Sequence, residues 1–468
     1  MSLRDLLLFV ILIALVVTVP RRPFIGAMAW VVFGIMNPHR LAWGYAYDFP
    51  FSQVIALVTL FGIFFTKEHK CYKGGAAATI LIIFFLWTTL NSAFAFYPTQ
   101  SWQYLDRVFK VYLMTFILLL LTHTRQQVNA LIWCLVVSLG FYGTKGGLFV
   151  IATGGSAMVY GPPGSVMEGN NSLGVGLVIV IPLMYYLSQE TKNKWIKLGL
   201  IASIALCMAS VLGSYSRGAL LAVLAMGTLL WLRGKHKLTV LAVIVGFVLL
   251  AIPLMPERWT NRMNTIQTYD SDASAMGRIH AWEAAYNIAK GRFPLGGGLE
   301  WQGIETSLRY SPAPDHVLVA HSLYFQTLGA TGFIGLALLL LFWLLVWRQC
   351  VALRKLAHSQ AHLRWANSLG SMIQVALVGY FVGGAFLDLA FWDLPYYLYA
   401  AVVTAAYAAR SELAAHSGTG PMQATPLLVP NRGARQEVKI RHSVNGLGAM
   451  RTNPDPTLKP PGSEGSRS

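Results

Sequence analysis

The chain has 468 residues, of which 55% are hydrophobic and only 12% charged. That charged share is about half of what globular domains use to cover a soluble surface, which excludes a string of soluble domains, a disordered chain and a coiled coil as descriptions of the whole. The 36 Lys and Arg outnumber the 19 Asp and Glu, for a net charge of +17. These cations fall in short loops between apolar runs, not on a stripe with interleaved aromatics, so the excess speaks for membrane orientation and against nucleic acid.

A membrane-crossing helix needs about 20 mostly apolar residues. In chain order, apolar runs occur near 6–19, 23–37, 51–66, 76–95, 106–122, 127–152, 170–188, 195–212, 217–232, 237–255, 321–347, 367–388 and 392–410. The expected fold is therefore an all-α polytopic membrane protein with 12–13 transmembrane helices, the count depending on whether 6–19 crosses fully. That first run is followed by Pro20-Arg21-Arg22-Pro23 rather than a small-residue cleavage site, so it reads as an anchor and not as a signal peptide.

Cationic groups recur on every second loop: Arg21/Arg22, Lys67/Lys70/Lys73, Lys192/Lys194/Lys197, Arg233/Lys235/Lys237 and Arg348/Arg354/Lys355/Arg364. The positive-inside rule assigns these to the cytoplasm. The intervening loops, about 38–50, 96–105, 153–169, 213–216, 256–320 and 388–392, then face outward. Loop 256–320 is far longer than a connector, is rich in Trp and Tyr, and nearly balances six basic against seven acidic residues. Its spacing of Ile279, Trp282, Ala285/Tyr286 and Ala289 predicts a helix, capped by Ser271 or Asp272 and stopped at Gly291. After about 411 the chain turns to Pro, Gly, Ser and scattered Arg without periodicity, which predicts a disordered cytoplasmic tail. The expected organisation is an N-terminal transmembrane region over 1–190, a second membrane region over 191–410 that includes the outward loop, and the tail 411–468.

Few residues offer chemistry. Cys71, Cys134, Cys207 and Cys350 are far apart and form no C-x-x-C, so neither a zinc site nor a disulfide frame is signalled. Arg217 opens a run at its outer mouth amid Ser214, Ser216 and Gly218. An arginine there snorkels, pairs or faces a watery cavity. His321 stands where the long loop re-enters the membrane, a place that suits a cap as well as a base, and His316 and His280 lie close enough in sequence to compete with it. Arg278, His280 and Trp282 share the predicted loop helix, whose ordinary reading is a solvated face. Asp270-Ser271-Asp272 is a D-x-D that also serves as a helix N-cap, and no metal site is assigned to it. Gly296-Gly297-Gly298 has no following lysine and no preceding strand, so it reads as a turn and not as a nucleotide loop.

Two spacings resemble the O-antigen ligase and polymerase superfamily. Arg217 and Leu221 fit its R-x3-L motif, and His321, Ser322, Gly332 and Gly335 fit H-[NSQ]-x9-G-x-x-[GTY] at every defined position. The second motif is the specific one. The resemblance covers about 195–345. In the N-terminal half, Met36 to Gly44 and Tyr47-Asp48-Phe49-Pro50 resemble membrane O-glycosylation ligases of the exosortase-associated subgroup.

The resemblance implies a GT-C-like glycosyltransferase architecture in the bacterial inner membrane, with the large loop periplasmic. It implies a glycan ligase that moves an oligo- or polysaccharide from undecaprenyl diphosphate to a hydroxyl on protein or on lipid A core, without a metal or other cofactor. His321, Arg217 and Arg278 are the implied catalytic residues, and Ser216, Ser322, Tyr324, Trp282, His280 and His316 the implied substrate-binding set. The donor lipid, the acceptor and membrane lipids are then the partners, with no role for nucleic acid. A polymerase would share the donor chemistry with another lipid-linked glycan as acceptor. A transporter of lipid-linked sugars would instead gather its polar residues at mid-membrane, whereas here they gather at the outer mouth and in one loop.

Overall fold

The computed structural model describes residues 2–233 and 273–416, with 238, 246, 255–257, 259 and 260 between them. The apolar run 237–255, the Asp270-Ser271-Asp272 cap and the tail beyond 416 lie outside the described residues, or almost wholly so. Every regular element among the described residues is helical. In the N-terminal half these are α1 (Leu3–Thr18), α2 (Pro23–Ile35), α3 (Phe51–Phe65), α4 (Ala76–Ala93), α5 (Pro98–Leu121), α6 (Arg125–Ala152) and α7 (Asn170–Glu190). They are followed by α8 (Lys194–Gly213), α9 (Arg217–Arg233), α10 (Ala273–Gly291), α11 (Ile304–Tyr310), α12 (Leu323–Ala357), α13 (Arg364–Gly384) and α14 (Asp393–His416).

The helices start where local chemistry starts them. Ser2 with Asp5, and Thr124 with Gln127, form capping boxes on α1 and α6. Asn193 Oδ1 accepts from the Trp195 amide at 2.9 Å to open α8, and α2 and α5 begin on prolines whose fixed φ suits a first turn. Among the described residues six segments are long and apolar enough to cross a membrane: α4, α6, α7, α8, α12 and Ala361–Gly384. Helices α2 and α3 are apolar but shorter. This is a multi-pass, all-helical membrane protein. Helix α14 runs on to His416, so residues 411–416 belong to it rather than to the tail.

Helix α7 is the hub. In its apolar window 83% of the residues are buried inside the protein, and it packs on α6, α8, α9 and α13. Small residues set the closest crossing, between α6 and α8: a Cβ on Gly147 would collide with the Leu206 carbonyl. Close approach of this kind is how helices associate where lipid removes the hydrophobic drive between them.

Helix α12 is broken. Gly332 has φ 68° and ψ −173°, outside the helical region, and the break frees backbone groups that must find partners. Two come from Gly296-Gly297-Gly298, which the sequence suggested was a turn and which instead runs alongside the break. Gly297 N donates to Gly329 O at 2.7 Å and Gly298 N to Ala330 O at 3.0 Å. The Trp87 indole N–H of α4 donates to Thr331 O at 2.8 Å, and Asn91 of α4 accepts from Gly296 N at 2.7 Å. The long loop is thereby anchored to both α4 and α12.

Candidate functional site

The turn between α8 and α9 is held from several sides. Ser214 Oγ accepts from the Ser216 amide at 3.3 Å, and Ser216 Oγ accepts from Ala219 N at 3.2 Å. Asn170 Nδ2 donates to Ser214 O at 2.6 Å, and the buried Tyr215 hydroxyl donates to Gly155 O at 2.7 Å. Tyr215 itself is forced to φ 55°. Arg217 follows at the N-terminus of α9, directly after this hydrogen-bonded turn.

Arg217 lines a small cleft with Ser216, Gly218 and Asn171. Arg278 of α10 lines it too, and Phe386 and Leu387 from the α13–α14 loop complete it. The loop helix expected around Ile279–Ala289 thus forms as α10, and it delivers Arg278 to the same space as Arg217.

His321 adjoins this space. Trp282 of α10 donates its indole N–H to Ala320 O at 2.7 Å and stacks on Phe325 with ring centroids 4.9 Å apart. The backbone before His321 is therefore pinned to α10, and His321 adopts φ 43°. Strained backbone of this kind costs about 1–3 kcal/mol and concentrates at functional sites. Of the three non-glycine residues with positive φ among the described residues, Tyr215 and His321 both flank the cleft. The His321 side chain is open to solvent, yet protein is packed closely around the ring. Burial first, and the charge of Arg278 second, hold its imidazole below the usual 6.5. Both effects favour the neutral ring.

The remaining expected residues divide. Ser216 is in the cleft. Ser322 is buried, its hydroxyl fully enclosed and without a hydrogen-bond partner. Trp282 serves as the clamp just described, and Tyr324 donates its hydroxyl to Phe381 O at 3.1 Å and does not line the cleft. His280 is half-buried on α10 and His316 is exposed in the preceding loop; neither lines the cleft.

Sequence reading passed over an acidic pair. Asp388 and Glu300 come from segments far apart in the chain yet lie near enough to interact: Asp388 is pushed up to about 7 by burial and then by the Glu300 charge. Glu300 is raised by burial and held back by Arg107. Asp388 Oδ1 is buried with no hydrogen-bond partner. No motif marks either residue, because the pair exists only in space. Its place directly after Phe386 and Leu387 of the cleft wall is the one signal that links it to the site.

Residues 202–340 match the O-Antigen ligase family, and residues 3–192 match a family of unknown function, DUF5935. The first match runs from α8 through the break in α12, and so includes Arg217, Arg278 and His321. Comparison with the curated proteins gives no match.

Proposed function

With its O-antigen ligase domain the chain belongs to the O-antigen ligase/polymerase superfamily, and from this we propose that it is a ligase transferring a glycan from a polyprenyl diphosphate to an acceptor hydroxyl at the cleft of Arg217 and Arg278. The observation that carries the reading is the convergence of two guanidinium groups from separate elements on one cleft, with a histidine near enough to Arg278 to feel its charge.

In the proposed step the acceptor oxygen forms a bond to the anomeric carbon as the carbon–oxygen bond to the diphosphate breaks. The electron pair leaves with the diphosphate, and the acceptor proton goes to His321. Diphosphate is a competent leaving group whose growing charge needs stabilising. Guanidinium forks suit phosphate oxygens and stay charged, so Arg217 and Arg278 clamp the leaving group from two sides. His321 then meets the needs of a general base, its neutral form favoured by burial and by Arg278 and its place at the mouth where an acceptor arrives. Attack opposite the leaving group inverts the anomeric centre. The donor is read as undecaprenyl-linked and the acceptor as protein or lipid A core, in a bacterial inner membrane with the cleft on the periplasmic side.

The test is glycan transfer in cells lacking the native protein, with variants matched for membrane expression. His321→Ala should lose about 10²–10⁴-fold, and Arg217→Lys should fail too, since a point charge cannot fork onto two oxygens. His316→Ala and His280→Ala should keep most activity. Full transfer by His321→Ala would remove the base from this reading, and lengthening of the lipid-linked glycan in place of transfer would make the protein a polymerase.

A further inference from the structure

At the end of the bundle opposite the cleft, two arginines converge on one amide. Arg233, the last residue of α9, donates from Nη1 to Gln374 Oε1 of α13 at 3.0 Å. Arg354, near the end of α12, donates from Nη1 to the same oxygen at 2.9 Å. Gln374 is fully buried. Two like charges are thus held together by one neutral carbonyl, and among the described residues neither is paired with a carboxylate. At that same end Arg125 does have its acid, Glu190, at 2.5 Å. The Arg233–Arg354 pair lacks this and so retains uncompensated positive charge.

Donors are also left over. Arg354 Nε and Gln374 Nε2 are buried and have no hydrogen-bond partner, a costly condition that an acceptor would relieve. Arg233 is exposed, so the place is reachable from outside, and its guanidinium is steadied over the Trp347 ring at 5.7 Å. Depth agrees with a headgroup. Along the 17 residues of α9, Arg233 lies ~24 Å from Arg217, against a hydrocarbon core of ~30 Å. Arginine side chains readily reach over the difference. Leu232 beside it and Leu344 one turn before Trp347 are exposed apolar surface for acyl chains.

We propose that Arg233, Arg354 and Gln374 form a binding site for the phosphodiester of an anionic phospholipid in the leaflet opposite the cleft. Nothing in it depends on the transfer reaction. The experiment uses the purified full-length protein, to which phosphatidylglycerol, phosphatidylcholine or inorganic phosphate is added in turn. Retained lipid is read by native mass spectrometry and the unfolding midpoint in parallel. Phosphatidylglycerol should be retained and should raise the midpoint more than phosphatidylcholine does. Arg233→Gln and Arg354→Gln should each weaken retention about five-fold, as one cation near a lipid surface contributes, while Lys194→Gln at the same end should not. Should Arg354→Gln fail to fold, the exposed Arg233→Gln decides alone. Equal retention of both lipids, unchanged retention by Arg233→Gln, or an equal midpoint rise with inorganic phosphate would overturn the proposal.

Discussion

His321 draws its chemistry from two neighbours that do opposite things to it. Trp282 fixes where the residue stands, through Ala320 O, and Arg278 adds to burial in lowering its affinity for a proton. If the neutral ring is the base, transfer should fall away on the acid side with a midpoint below 6.5, because a lowered pKa keeps the ring neutral further into acid. Arg278→Gln should move that midpoint back toward 6.5 in whatever transfer survives. A wild-type midpoint above 6.5 would mean that another group titrates. Asp388 obeys the reverse sign. Its raised pKa stabilises the fold while the acid is protonated in both states, below about 3.8, and that contribution is lost as pH rises toward about 7. Asp388→Asn should therefore leave the unfolding midpoint almost unchanged at pH 4 and raise it at pH 7.5. The gain should fall short of the roughly 4 kcal/mol that a displacement of this size represents, because water reaches part of the side chain. A midpoint difference independent of pH would contradict the assignment.

Among the elements, the break in α12 governs how the outer loop is held. Gly332 sits in the left-handed region, and a Cβ there would lie 2.7 Å from Leu295 O and 2.8 Å from Pro294 O. Gly332→Ala should cost at least about 1–3 kcal/mol from the backbone alone, with the loop released from α12 as a consequence. Thermal unfolding together with limited proteolysis of the loop measures both, and an alanine variant of wild-type stability would show that the break is not set by this glycine. His321 lies two residues before this element, and Arg354 is near its other end.

For the molecule as a whole, orientation is the decisive property, since the proposed donor is presented on one side of the membrane only. The alternation of cationic loops predicts that the long loop lies outside and the chain beyond 411 inside. Alkaline phosphatase inserted in the loop after Gly291 should be active, and a fluorescent reporter joined after 416 should fold and emit in the cytoplasm. The opposite pattern would put the cleft on the wrong side for the proposed reaction.

What the sequence determined by itself was the class of fold, most helix positions and the two motifs. Helix formation in lipid follows from the length and apolarity of each run, which are local properties, and α4, α6, α7 and α8 begin and end within a few residues of the runs that announce them. The helical spacing of Ile279 to Ala289 likewise yields α10. Only the tertiary structure decided which polar residues share a space. It brought Arg278 across to Arg217, turned Tyr324 and Trp282 to structural hydrogen bonds, and left His316 outside the cleft. It also joined Asp388 to Glu300 and Arg233 to Arg354. Periodicity says which face of a helix is apolar, but a shared site depends on how several helices cross. Those crossings are set by side-chain shapes such as the glycines of α6, and by bonds such as those that close the break at Gly332, which link residues far apart in the chain.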